Sequence, residues 1–238
     1  MSSPIIAPTM QACRECGAGA PLDAHVCPQC GKILPLGRRA PDYFAFLGLP
    51  RKLHVGADDL EQRFRMLSRQ FHPDYFYNAA PAERRASLER SSYLNDAYRT
   101  LKSPIARVEY LLGLEGLAMT TGDGGAAGSE SKQVVPPALL EEVFALNEEL
   151  DEVRELRASG APAEDWKGRL ERARRPIEAK RAAHDAHVQA LSARWDALVD
   201  AAATDGERRD VLNALRDRVL ERNYIANLLA GIQRELEG

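Results

Sequence analysis

The stretch DDLEQRFRMLSRQFHPD, residues 58–74, decides the fold of this 238-residue chain. Its apolar residues recur at helical spacing and form one face, which comprises Leu60, Phe64, Leu67 and Phe71. The outer side of the same predicted helix carries three arginines, Arg63, Arg65 and Arg69. Pro73 lacks an amide hydrogen and disfavours helical angles at His72, so the helix must end there and a loop must begin.

Two neighbouring segments extend this pattern. Upstream, DYFAFLGL (42–49) reads as a short helix with Tyr43 and Leu47 one turn apart. Downstream, NDAYRTL (95–101) ends a longer helix whose core-facing residues are Leu94, Tyr98 and Leu101. The tripeptide His-Pro-Asp is weak evidence by itself, because short motifs recur by chance. The three segments in this order resemble a J domain.

Composition favours a mainly α protein. Hydrophobic residues make up 45% of the chain and aromatic residues only 6%, and Ala, Leu, Glu and Arg are abundant, as in helical proteins. A formal net charge of −3 argues against nucleic acid or an anionic membrane as a partner. No apolar run approaches the ~20 residues of a membrane span, and residues 1–10 lack the pattern of a signal peptide. We therefore expect a cytoplasmic protein, with the mitochondrial matrix as the alternative.

All four cysteines lie near the amino terminus in two Cys-x-x-Cys pairs, Cys13 with Cys16 and Cys27 with Cys30. A glycine follows each pair, which lets the amides of each turn point at the sulfurs. Four thiolates closing a tetrahedron suit zinc, which accepts them without redox chemistry. The sequence predicts a small zinc-ribbon-like module within residues 1–36, with much of its folding energy supplied by the metal.

Other uses of the four cysteines stay open at this point. Paired disulfides would suit a secreted chain, iron in a rubredoxin-like site would need the same ligands, and a thioredoxin-like redox site would need a βαβ setting. His25, between the two pairs, is surplus to a four-sulfur site.

Residues 41–115 are predicted to hold the J-like domain and residues 116–136, rich in Gly and Ser, to be a linker. Residues 137–238 read as three long helices, at 137–158, 163–203 and 205–236, which predicts an antiparallel three-helix bundle. Pro176 should kink or split the second of these helices. His184 and His187 stand one turn apart there, but we assign His184 to the core and His187 to solvent, because no further ligand completes a metal site.

The first bundle helix has more apolar surface than a bundle needs. One stripe, suited to face the other two helices, consists of Leu139, Val143, Leu146, Leu150 and Val153. Leu140 and Phe144 lie about 100° further round, beside Glu148 and Glu152. They are either a broad edge of the core or an exposed apolar pair bordered by carboxylates, which is the composition of a partner-binding surface.

Beyond the J-like segments, Arg107-x-Glu109-Tyr110-Leu111-Leu112 and NEELDE (147–152) make residues 41–238 resemble HscB-type co-chaperones of iron–sulfur cluster assembly. The four-cysteine segment is similar to the zinc module of some members of that family. The resemblance implies that His72, Pro73 and Asp74, with Arg63, Arg65 and Arg69, dock on a DnaK-class (HscA-like) chaperone and stimulate its ATP hydrolysis.

The same resemblance implies that the bundle binds an IscU-like scaffold protein and delivers it to the chaperone. By position, the implied scaffold-binding residues are Leu140, Phe144, Glu148, Glu152 and Tyr224. No constellation of catalytic residues stands out, so we expect no enzyme. Two other functions remain open: a general J-domain co-chaperone for another client, and a zinc-dependent nucleic-acid adaptor.

Overall fold

The computed structural model describes residues 10–21, 23–36, 40–117 and 139–237, and within them the mainly α prediction is confirmed. The predicted linker, 116–136, lies outside the described residues except for its first two positions. The chain divides into two compact units, Met1–Arg107 and Val108–Gly238. The strands and helices are β1 Met10–Ala12, β2 Gly19–Pro21, α1 Tyr43–Phe46, α2 Ala57–Phe71, α3 Pro81–Lys102, α4 Pro104–Leu114, α5 Leu140–Ala158, α6 Ala163–Asp200 and α7 Asp205–Glu237. In the described part of the chain, no helix is long and apolar enough to cross a membrane.

The amino-terminal segment consists of two small hairpins, which we call the four-cysteine module (residues 10–36). In the first hairpin β1 pairs antiparallel with β2, and in the second Val26 bridges Ile33. The module has a minimal core, made of Cys13, Ala20, Cys27 and Leu34. So few apolar side chains bury little surface, and the contribution of a metal to the folding energy of the module stays a prediction.

Helices α1, α2 and α3 form the rest of the first unit. The predicted apolar face of α2 is confirmed, because Leu60, Leu67 and Phe71 are buried and Phe64 stacks on Tyr98 of α3 with ring centroids 4.3 Å apart. Helix α2 ends at Phe71, and His72 has non-helical angles (φ −57°, ψ 124°), as Pro73 requires. A single turn of 3₁₀ helix, Pro73–Phe76, then leads towards α3.

Helices α5, α6 and α7 pack as the predicted antiparallel bundle. Lys180 pairs with Glu142, and Arg222 donates to Asp185 at 2.5 Å, so α6 runs antiparallel to both of its neighbours. The predicted stripe of α5 faces the core, with Leu139, Leu146 and Val153 buried. Helix α6 is not split at Pro176, since it continues unbroken to Asp200. His184 is buried and His187 is exposed, as predicted.

Candidate functional site: an exposed HPD loop and an exposed apolar pair

The HPD loop, which comprises His72, Pro73 and Asp74, lies on the surface of the first unit. The side chain of Asp74 is 87% exposed and its Oδ2 lies 3.5 Å from Nδ1 of His72. The loop is fixed by its own backbone, because the amide of Tyr75 donates to the carbonyl oxygen of His72 at 3.0 Å. A carboxylate presented to solvent on a short, defined turn is available to an incoming partner.

The three arginines predicted to assist this loop differ in their surroundings. Arg65 is exposed and donates from Nε to Glu61 at 2.8 Å, and Arg69, in the last turn of α2, is exposed as well. Arg63 instead donates from Nη1 to the backbone carbonyls of Leu47 and Gly48, at 3.1 and 2.8 Å. Arg63 therefore also joins α2 to the end of α1.

The four cysteines come together as a candidate metal centre. Their sulfur atoms all lie within 4.8 Å of one another, and the Cys13–Cys30 and Cys16–Cys27 sulfur pairs are each 3.6 Å apart. A tetrahedral zinc with Zn–S bonds of about 2.3 Å would place its sulfurs about 3.8 Å apart. The four thiols, which form no disulfide, therefore fit a metal ion held by four sulfurs.

The two turns that carry the cysteines are built alike. Gly17 and Gly31 have positive φ angles of 74° and 69°, and their amides donate to the carbonyls of Cys13 and Cys27, at 2.9 Å in both turns. Glycine adopts this conformation without strain, which explains its position after each pair. A hydrogen bond from the backbone amide of Cys30 lowers the pKa of the Cys27 thiol to about 6, against the effect of burial, whereas burial and the neighbouring thiols raise the pKa of Cys16 and Cys30. Without a metal, the four neighbouring sulfurs therefore do not all ionise readily, and the geometry rather than the acidity of the thiols is what fits a metal ion.

On the second unit, Leu140 and Phe144 form an exposed apolar pair on α5. Their exposed fractions are 41% and 66%, so they are not an edge of the core. Glu148, one turn after Phe144, is exposed, and so is Glu152, which forms an ion pair with Arg169 of α6. The apolar pair is thus followed along the helix by a negative border, of which one carboxylate already has an intramolecular partner.

Tyr224, the implied scaffold-binding residue on α7, is half-buried against the core of the bundle. Arg157 donates to Glu235 at 3.0 Å, which brings the carboxyl ends of α5 and α7 together and makes these helices parallel. Tyr224 lies eleven residues before Glu235 and Phe144 thirteen before Arg157, which corresponds to about 17 and 20 Å of helix. The two aromatic side chains therefore lie at similar heights along the bundle.

Comparison with solved structures identifies this arrangement. The human co-chaperone protein HscB matches with a TM-score of 0.63 and 22% identity, over 94% of this chain and 98% of that chain. The chaperone HscB from Vibrio cholerae matches with a TM-score of 0.58 and 26% identity, over 82% of this chain and 98% of that chain. The chain has the HscB fold. No family model matches the sequence.

Within this HscB fold the sequence-predicted residues fall into three groups. The first is the HPD loop with the α2 arginines and the second is the four cysteines; both belong to the first unit. The third group belongs to the second unit and consists of the apolar pair, its acidic border and Tyr224. The roles of the chaperone-binding and scaffold-binding residues stay predictions.

This chain also has an apolar surface that its sequence did not predict. Beside the HPD loop, a shallow groove is lined by Pro73, Tyr77, Pro81, Arg84, Arg85 and Leu88. Tyr77 and Leu88 are largely exposed. Leu88 lies off the core-facing stripe of α3, and this position on the helix was the available sign that it faces solvent.

Proposed function

We propose that this chain is a co-chaperone of iron–sulfur cluster assembly. In this proposal it binds an IscU-like scaffold protein through its bundle, binds a DnaK-class (HscA-like) chaperone through its HPD loop, and stimulates ATP hydrolysis by that chaperone. The observation that carries it is that the fold similar to HscB exposes both the HPD loop and the apolar pair. The chain would act as an adaptor without an enzymatic reaction of its own, in the cytoplasm or, as the alternative, in the mitochondrial matrix.

The first surface suits a chaperone that presents negative charge. Asp74 is exposed at the end of α2, and Arg65 and Arg69 add positive charge along the outer face of the same helix. Charges of this kind guide a partner into register and raise the rate of association more than the affinity. Asp74 would then compete for polar contacts within the chaperone and so promote hydrolysis there.

The second surface suits a scaffold with an apolar recess bordered by basic residues. Covering Leu140 and Phe144 would contribute about 3–5 kcal/mol before ordering costs. Glu148 and Glu152 would favour basic groups at the rim. Because both partners bind one chain, the scaffold reaches the chaperone at a raised effective concentration.

In the same proposal the four-cysteine module binds zinc in a structural role. Cys13, Cys16, Cys27 and Cys30 would hold the ion, and the bound metal would supply folding energy rather than catalysis. The supporting observation is the short separation among all four sulfurs.

The test measures ATP hydrolysis by a DnaK-class chaperone, with and without the scaffold protein. We expect this chain to stimulate hydrolysis and the scaffold to raise the stimulation further. Asp74→Ala should abolish stimulation without loss of stability, since the side chain is exposed. Normal stimulation by the Asp74→Ala protein would refute the proposed role of the loop.

Scaffold binding distinguishes this function from a general J-domain co-chaperone. Phe144→Ala should weaken scaffold binding by about thirtyfold, as expected for an aromatic residue central to an interface, and should leave stimulation without scaffold intact. Leu88→Ala removes another largely exposed apolar side chain, 58% exposed against 66% for Phe144, from the other unit and should leave scaffold binding unchanged. Unaltered scaffold binding by the Phe144→Ala protein would favour another client.

A further inference from the structure

A buried arginine joins the four-cysteine module to the helices of the J-like domain. Arg90, on α3, is only 2% exposed. Its Nε donates to the carbonyl oxygen of Leu34, Nη1 donates to Nδ1 of His25 at 2.8 Å, and Nη2 donates to the carbonyl oxygen of Ala24 at 3.2 Å. All three acceptors belong to the four-cysteine module, so one side chain of α3 satisfies three of its polar atoms.

The aromatic rings around Arg90 lead from the module to the HPD loop. The His25 ring lies 4.8 Å from the Phe46 ring and 5.1 Å from the Phe71 ring, edge to face in both cases. The guanidinium carbon of Arg90 lies 5.6 Å from the centre of the Phe71 ring. Phe71 is the last residue of α2 and directly precedes His72. The module therefore contacts the residue from which the HPD loop begins.

Helix α3, which carries Arg90, also holds the backbone of Phe71. Its carbonyl oxygen accepts hydrogen bonds from the hydroxyls of Ser87, at 2.6 Å, and Ser91, at 2.9 Å. Both serines belong to α3 and flank Arg90, Ser91 as its direct neighbour and Ser87 one turn before it. Arg90 and the two hydroxyls that hold the carbonyl oxygen of Phe71 therefore lie on the same stretch of α3.

A buried guanidinium is stable only while its acceptors are present. If the module unfolded, Arg90 would lose all three acceptors, and its charge would have to be hydrated. Phe46 and Phe71, which are fully buried, would lose the His25 ring that packs against them. The folded state of the module and the order of the end of α2 are therefore energetically linked. Lys32 of the module also forms an ion pair with Glu83 of α3, with Nζ 2.9 Å from Oε2; because Lys32 is half exposed, this pair adds less to the link than the buried Arg90.

We propose that the four-cysteine module stabilises the HPD loop and that Arg90 is the positioning residue through which it does so. This inference rests on the proposed metal site and on the proposed role of the loop. Metal loss would unfold the module and release Arg90, and the end of α2 and the HPD loop would then open more often. The module thus makes the geometry of the chaperone-binding loop depend on the metal.

The test is hydrogen exchange of the full chain, as wild type and as Arg90→Met, each with zinc bound and after removal by a chelator. In the wild type, metal removal should raise exchange in residues 70–77 on the order of tenfold. In Arg90→Met, exchange there should already be raised, and metal removal should raise it by clearly less than in the wild type, because the three hydrogen bonds of Arg90 are gone and only the packing of His25 on Phe46 and Phe71 still links the module to the end of α2. Exchange in residues 94–101, at the far end of α3, should stay unchanged.

Two further variants complete the test. Arg99→Met removes an exposed arginine from the same helix and should behave as wild type. Arg90→Lys keeps the charge but cannot reach three acceptors together, so it should restore only part of the protection. If metal removal leaves exchange in residues 70–77 unchanged in the wild type, or raises it equally in Arg90→Met, the inference is overturned. If the zinc-loaded wild type shows the expected exchange but stimulates no DnaK-class chaperone, the proposed function fails and the inference about Arg90 stands.

Discussion

At the scale of single residues, His184 should make the stability of the bundle depend on pH. Its side chain is 5% exposed and its Nδ1 lies 3.3 Å from Oε2 of Glu221. Desolvation lowers the pKa of His184 below its usual 6.5; Glu221 opposes this, while Arg218, His187 and Lys180 add to it. The unfolded chain therefore binds this proton more readily than the folded chain, and stability should fall as pH drops below 6.5, by at most about 1.4 kcal/mol per pH unit.

Urea unfolding between pH 7.5 and 5.5 checks this prediction. Tryptophan fluorescence follows the unfolding of the bundle specifically, because both tryptophans of the chain, Trp166 and Trp195, belong to α6. His184→Leu should reduce the loss of stability on acidification, whereas His187→Leu, which replaces an exposed histidine one turn away, should keep the wild-type dependence. Equal pH dependence of stability in the wild type and His184→Leu would show that His184 does not cause the loss of stability at low pH.

At the scale of an element, alanine substitutions of the α2 arginines should affect protein stability and chaperone stimulation to different degrees. Arg63 donates to two backbone carbonyls and to Asp59 at 2.9 Å, so Arg63→Ala should cost about 1–2 kcal/mol of stability as well as activity. Arg69 is exposed at the end of the helix, and Arg69→Ala should change stability by less than about 0.5 kcal/mol. We expect it to weaken stimulation all the same.

Thermal unfolding and ATPase assays on the same protein samples measure the two effects. Arg65→Ala is the intermediate case, since it removes one exposed pair with Glu61, worth about 0.3–0.5 kcal/mol. A stability loss in Arg69→Ala as large as that in Arg63→Ala would show that the two arginines do not differ as described.

At the scale of the whole molecule, the two proposed binding surfaces should respond differently to salt. The net charge of −3 conceals a local contrast between the arginines of α2 and the carboxylates that border the apolar pair. Docking through α2 depends on exposed charges and should weaken as salt is raised, because the Debye length shortens from about 10 Å at 0.1 M to about 3 Å at 1 M. Scaffold binding, with Leu140 and Phe144 at its centre, should change much less.

Titrations of each partner at low and high salt test this contrast. We expect the loss of chaperone affinity to appear mainly in the association rate. Phe144→Ala should leave a weaker scaffold interaction that is more sensitive to salt, since the carboxylates remain. Equal salt sensitivity at both surfaces would contradict the division between a charged and an apolar contact.

The sequence by itself determined the features that depend on neighbours in the chain. Pro73 ends α2 through its missing amide and its effect on His72, the glycines after the cysteine pairs permit the two turns, and helical spacing selects the buried side of α5. These features follow from local stereochemistry and periodicity, so they can be predicted without knowing which distant segments pack against them. The fate of Pro176 was harder to predict, because packing along α6 decides whether an interior proline splits a helix.

Only the tertiary structure decided the roles of residues whose partners are distant in sequence. The spacing of Arg90 does not reveal that it lies buried between the module and α2, since Leu34 and His25 are 56 and 65 positions away. The two readings of Leu140 and Phe144 also remained open until the other helices were in place and left them exposed. Burial is a property of what packs from elsewhere, and for a charged or apolar side chain it determines whether the residue stabilises the fold or meets a partner.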